Sequence, residues 1–106
     1  MSFFLDVVLP LPLKETFTYV ITPAEAKFIQ PGMRIIVPFG KRKKYTAIAW
    51  RVHQVRPKTY APKQIDSIID MDAVLQPKQL KFLSWVADYY QSPIGLVLRT
   101  AMPSLM

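Results

Sequence analysis

The sequence predicts an α+β fold: a small twisted antiparallel β-sheet or barrel-like core followed by two C-terminal helices. Three observations point to it. The first half carries apolar stretches with two-residue alternation or β-branched and aromatic content, each ended by proline or glycine. From Pro77 onward the apolar spacing becomes helical. A hydrophobic share of 51% over 106 residues is enough for one small packed core, so residues 1–106 read as a single domain.

The first strand is expected over residues 2–9, with Phe3, Leu5, Val7 and Leu9 on one face and Phe4, Asp6 and Val8 on the other. Pro10 and Pro12 stop it, because proline cannot donate to a ladder. Residues 16–21 form a second strand, which places Phe17 and Tyr19 on one side and Thr16, Thr18 and Val20 on the other. Thr22-Pro23 opens a single helical turn through residues 24–27, and Pro31-Gly32 marks a turn that needs a positive φ. Residues 33–39 are almost unbroken apolar and read as a central strand buried on both faces, with Pro38 at its end or at a bulge. Residues 45–55 are the longest strand candidate. There Ile48, Trp50 and Val52 share a core face, while Arg51 and His53 share a basic outer face.

Residues 57–63 read as a proline-bearing basic loop and residues 64–71 as a weaker strand. A helix is expected from Pro77 to Tyr90, with Phe82, Leu83, Val86 and Tyr90 lining one side and Tyr89 beside them. Ser92 as N-cap and Pro93 at the first position open a second helix, which Pro103 closes. Residues 101–106 leave that helix with apolar residues still arriving, as expected of a domain excised from a longer protein.

Charge is distributed unevenly. The net charge is +7, and ten of the 14 Lys/Arg lie between Lys27 and Lys63. No acid occurs between Glu25 and Asp66. Lys41, Arg42, Lys43 and Lys44 form the tip of the turn between the third and fourth strands, and Arg51, Arg56, Lys58 and Lys63 continue the field. A local basic field on a folded scaffold points to an anionic partner. Phe39, Tyr45, Trp50 and Tyr60 are interleaved with it. Cations meet phosphates, and unpaired bases stack on aromatic faces at roughly 1–3 kcal/mol each. Trp50 lies on the expected core face and reads as packing, and Phe39 also has a core reading. The plain alternative for residues 41–44 is a solvated loop.

The machinery of catalysis is missing. The sole histidine, His53, reads as a solvated strand residue beside Arg51, and Asp70 and Asp72 read as turn-forming carboxylates, with a metal pair as the weaker alternative. Gly32, Gly40 and Gly95 are too far apart for a dinucleotide fingerprint, and no phosphate loop occurs. The absence of cysteine excludes disulfides, thiolate zinc sites and cysteine nucleophiles, and fits a reducing cytosol. No apolar run approaches a membrane span. No enzyme activity, cofactor or metal is expected of this domain alone.

Three stretches then become specific. Val7-Val8-Leu9-Pro10-Leu11-Pro12-Leu13 with Thr16-Phe17-Thr18-Tyr19 is the first. Pro31-Gly32-Met33-Arg34-Ile35-Ile36-Val37-Pro38-Phe39-Gly40-Lys41 is the second. The third runs Trp85-Val86-Ala87-Asp88-Tyr89-Tyr90-Gln91-Ser92-Pro93-Ile94-Gly95-Leu96-Val97-Leu98, then Ala101-Met102-Pro103. In this order and spacing they resemble the N-terminal 3′-end DNA-binding domain of the replication-restart helicase PriA (primosomal protein N′) family, over nearly the whole chain. The resemblance implies a cytoplasmic domain that captures the 3′ end of a DNA strand at a stalled fork and positions a restart helicase for primosome assembly. It implies as partners DNA, the remaining helicase domains of the same chain and other primosome proteins, with no membrane. The longer protein would be an ATP-dependent DNA helicase.

In the family the terminal nucleotide sits in a shallow pocket. That pocket uses a Phe-Asp-Tyr segment, the glycine after Pro-Phe, and a lysine shortly before the weak fifth strand. Phe17, Tyr19 and Gly40 match those positions. Thr18 stands where the family has Asp, and offers one hydroxyl and no charge. For the lysine, direct alignment places Asp66 nearby, and Lys63 is the nearest cation. One of Phe17 and Tyr19 is expected to be core. Gly40 serves a plain turn and, lacking Cβ, a close nucleotide approach. The competing function classes are an end-independent single-stranded nucleic-acid-binding barrel and a basic protein-docking module.

Overall fold

The computed structural model describes residues 2–102. Five strands and three helices follow in order: β1 (Phe3–Val8), β2 (Phe17–Ile21), α1 (Pro23–Phe28), β3 (Arg34–Pro38), β4 (Lys44–His53), β5 (Ser67–Ile68), α2 (Pro77–Tyr89) and α3 (Ile94–Ala101). The sheet is antiparallel with strand order β2-β1-β4-β3-β5, the α+β architecture that the sequence predicts. It is open, but a bridge between Val20 and Gln64 links edge strand β2 to the chain entering β5. The segment from residue 63 to 68 therefore spans both edges and gives the barrel-like curl.

The two faces of β1 divide as its alternation requires. Leu5 and Val7 join Tyr19, Ile35, Val37, Ala47 and Ala49 in a core enclosed by the curl. Val8 and Ile48 face outward into a second cluster, covered by Leu80 and Leu83 of α2 and Ile94 and Leu98 of α3. Local chemistry sets the joints. Thr22 and Glu25 form a reciprocal capping box on α1. Gly32 turns the chain with φ +96°.

Four expectations are corrected. β3 is not buried on both faces: Ile35 and Val37 are buried, while Arg34, Ile36 and Pro38 are half-buried, because the cluster under α2 and α3 covers Val8 of β1 and Ile48 of β4 but takes in no residue of β3. A β-bulge breaks the alternation of β4. Asp6 pairs with Arg51 but Val7 pairs with Ala49, leaving Trp50 as the extra residue. Val52 thereby packs into the enclosed core while Trp50 stays with Ile48 under the helices. Arg51 and His53 then share a face with Asp6, which changes the character of both. In α2 the buried stripe is Leu80, Leu83 and Ala87, and Phe82, Trp85, Tyr89 and Tyr90 are exposed as a ladder of ring contacts. The helix is apolar on several sides, so periodicity alone does not select the stripe. Ser92 caps nothing with its side chain. Its N–H donates to Ala87 O at 2.9 Å, and Pro93 is the N-cap of α3. The expected stop at Pro103 lies outside the described residues.

Asp70 is more than a turn carboxylate. It accepts from the backbone N–H of Arg34 at 2.9 Å and from its Nε and Nη2 at 3.0 and 2.8 Å. These bonds, led by the guanidinium, hold the Asp70 carboxyl below its usual pKa. A depressed carboxylate stabilises the fold above its unfolded pKa of about 3.9, and that stability is lost as pH falls through the lower folded value. Asp70→Asn is expected to cost about 1 kcal/mol at neutral pH. It should also flatten the acid limb of stability below about pH 4. Urea unfolding midpoints across pH measure both, and an unchanged acid limb would exclude Asp70 as its source.

Candidate nucleic-acid interface

Where β2 begins, five aromatic rings meet, with Tyr19 5.6 Å from Phe17 on the core side. Phe17 stacks on Tyr60 with centroids 4.6 Å apart and planes 7° from parallel. Phe39 meets Phe17 edge-on at 5.0 Å, and Tyr45 lies 6.3 Å from Phe39. Tyr60 comes from the proline-bearing loop and is fixed by accepting the backbone N–H of Thr18 at 2.8 Å. The same loop is tied down at Lys63, whose carbonyl accepts from Val20 N–H at 2.9 Å.

These contacts leave a pocket of about 180 Å³ between Phe17, Phe39, Gly40, Tyr60 and Lys63. Four of the sequence-predicted residues thus converge from three separate stretches of chain. Gly40 has φ +73°, which glycine adopts without strain, and a Cβ there would point into open space. The pocket is smaller than the roughly 300–1,000 Å³ of sites for drug-sized ligands, and suits one ring of a nucleotide.

The other predicted residues are placed differently. Tyr19 is fully buried, and its hydroxyl donates to Pro38 O at 2.7 Å. Burial pushes its phenol well above the usual range, with Tyr60 adding to the shift. Tyr19 is thus the core member of the pair, and it fixes the carbonyl just before Phe39. Thr18 points to the opposite side of β2 and donates its hydroxyl to Asp6 Oδ1 at 2.7 Å. Lys41, Arg42 and Lys43 are exposed at the β3–β4 tip and line neither this pocket nor the larger cleft beside it. Lys44 is tied to Asp66 at 2.8 Å, and that lysine holds the Asp66 carboxyl below its usual pKa. The aspartate that aligns near the lysine position is therefore paired, and Lys63 is the cation at the pocket.

Across the Phe17–Tyr60 stack lies a cleft of about 960 Å³. Its floor is a buried network that the sequence reading missed. Asp6, 6% exposed, accepts Thr18 Oγ1, meets His53 Nε2 at 2.8 Å and pairs with Arg51 Nη2 at 3.2 Å. Val55 N–H donates to His53 Nδ1 at 3.0 Å, so Nε2 carries the proton toward Asp6. His53 is correspondingly half-buried rather than solvated, because the bulge turns it toward Asp6. The available signal was Asp6 itself: a lone acid in an apolar strand must find donors. Among the described residues no cluster of His, Asp or Glu could hold a metal ion, and no helix is long and apolar enough to cross a membrane.

The chain matches the family model described as 3′DNA-binding domain (3′BD) over residues 6–103. It is 34% identical over 101 residues to the replication restart protein PriA of Haemophilus influenzae, covering 92% of this chain and 13% of that protein. PriA of Treponema pallidum is 28% identical over 108 residues, with 98% and 16% covered. PriA of Buchnera aphidicola from Acyrthosiphon pisum is 26% identical over 102 residues, with 94% and 14% covered. The chain therefore spans between 13% and 16% of the length of these curated relatives.

Proposed function

The chain belongs to the PriA 3′DNA-binding domain family, and from that premise we propose that its 180 Å³ pocket holds the 3′-terminal nucleotide of a DNA strand. The observation that carries this reading is the convergence of Phe17, Phe39, Gly40 and Lys63 on one small cavity. Phe17 and Phe39 give it aromatic walls against which a ring packs. Gly40 lets the terminal sugar approach the backbone closely. Lys63 offers one cation to the last phosphate, while Lys41, Arg42 and Lys43 draw the strand in without reading it. Lys44 is engaged by Asp66 and contributes less. Tyr19 acts from behind by fixing Pro38, and Thr18 acts through its backbone N–H, which holds Tyr60.

The domain would present a strand end at a stalled fork to the ATP-dependent helicase of a longer chain and, through it, to other primosome proteins in the cytoplasm. Selection for a free end is steric in this reading. Electrostatics alone would favour a terminal phosphate beside Lys63, so exclusion must come from the lack of room for it. A single strand ending in a 3′ hydroxyl is expected to bind roughly tenfold more tightly than the same strand ending in a 3′ phosphate. Fluorescence anisotropy at fixed salt measures the ratio. Equal affinities would remove end recognition and leave an end-independent single-strand binder. DNA affinity insensitive to loss of the cations at residues 41–44 would instead favour protein docking.

A further inference from the structure

We infer that the 960 Å³ cleft beside the terminal pocket binds single-stranded nucleic acid, taking the nucleotides that lead up to the 3′ end. This rests on the terminal-nucleotide reading only for direction; the cleft has its own evidence. It is separated from the small pocket by one aromatic wall, since Phe17 and Tyr60 line both. A strand whose last nucleotide lies on one side of that wall reaches the cleft by crossing the Tyr60 edge.

The cleft carries two guanidinium groups held in place before any ligand arrives. Arg51 is gripped through Nη2 by the buried Asp6, yet its side chain remains 68% exposed. Arg56 sits with its guanidinium carbon 5.2 Å from the centroid of the buried Phe4 ring. Both line the cleft, as does Lys14. A guanidinium fixed at one edge presents its remaining N–H groups in a fork that matches a phosphate. Asp6 does not compete for ligand donors, because Thr18, His53 and Arg51 already occupy it. Glu15 is the one exposed carboxylate at the cleft, set against three cations. Positioned cations beside a stacking wall are the pairing that single-stranded backbone and bases require. The volume, at the upper end of the range for small-molecule sites, admits more than one ring.

The test compares a thymidine dinucleotide with an oligothymidine of about eight nucleotides, both with free 3′ hydroxyls. The wild-type chain should bind the longer strand at least about tenfold more tightly. Arg51→Gln/Arg56→Gln should lose that gain, lower the salt slope by about 1 per phosphate contact removed, and keep wild-type affinity for the dinucleotide. Arg56→Gln alone, which leaves Asp6 fully paired, should show a part of the same loss and guards against misfolding of the double variant. Unchanged affinity of both variants for the longer strand would overturn the inference. So would a nucleoside monophosphate binding as tightly as the longer strand, which would make the cleft a free-nucleotide site. Comparing 3′-hydroxyl with 3′-phosphate octamers separates the two readings. If that preference is absent while the arginine variants still lose affinity, the cleft stands and the terminal pocket falls.

Discussion

Gly95→Ala is expected to destabilise the fold by about 3 kcal/mol. For a domain near 100 residues that lowers the thermal midpoint by roughly 12–24 °C. The reason is contact, not conformation. A Cβ at Gly95 would lie 1.9 Å from the carbonyl oxygen of Leu11 and 2.3 Å from that of Leu9. Both are backbone atoms, so no side chain can swing away. Leu9 is buried in the enclosed core, and Leu11 O already accepts from Leu13 N–H at 2.7 Å. The chain leaving β1 is thus fixed, and α3 must move instead. That movement would lift Ile94 and Leu98 off Val8 and Ile48, opening the second core cluster. Urea unfolding measures the loss, which should appear as a lower midpoint at an unchanged slope. Gly40→Ala is the control. Nothing lies within 4 Å of a Cβ there, so only its φ of +73° is penalised, at about 1 kcal/mol. Similar losses for the two variants would mean that the Gly95 contact relaxes cheaply.

Much of this arrangement is legible in the sequence, and the parts that are not share a cause. β1 and β2 alternate as their residue types require, since each buries one apolar side against the curl and no irregularity intervenes. Phe17, Gly40 and Lys63 are singled out by the family resemblance, whereas Phe39 and Tyr60 are visible only as aromatics among several in a basic stretch, and their convergence is a matter of the fold. The bulge at Trp50 has no local signature, and one extra residue reverses every assignment beyond it. That is why His53 reads as solvated when it is half-buried against Asp6, while Arg51 is exposed as expected and also pairs with Asp6. The stripe of α2 fails for another reason. Phe82, Trp85, Tyr89 and Tyr90 give the helix a second apolar side, and pattern cannot say which side meets the sheet. Tertiary contact decides both cases.

Thr18→Asp introduces the residue that the family resemblance places at this position, and it is expected to be harmful here. Thr18 and Asp6 are 9% and 6% exposed, and the Thr18 hydroxyl donates to Asp6 Oδ1 at 2.7 Å. An aspartate at position 18 removes that donor and sets a second carboxylate against the first at a largely buried site. Either one carboxyl takes up a proton, or Asp6 is pushed from His53 and Arg51. We expect a loss of about 3 kcal/mol at neutral pH, against about 1 kcal/mol for Thr18→Val, which only deletes the hydroxyl bond. The sign of the pH dependence follows. Like-charge repulsion raises a folded-state pKa, so the Thr18→Asp chain should regain stability as pH falls and lose it as pH rises through that value. Adding Asp6→Asn supplies an amide donor and removes one charge, and should recover about 2 kcal/mol of the loss. A Thr18→Asp chain as stable as the parent would sink the argument, and so would a double variant no better than the single. The expected outcome makes positions 6 and 18 one unit, in which a single carboxylate is required and β1 supplies it. The same pair then explains how Thr18 is compatible with the site. Its hydroxyl anchors Asp6, Asp6 anchors Arg51, and its backbone N–H anchors Tyr60, so one residue ties the wall of the small pocket to the floor of the cleft.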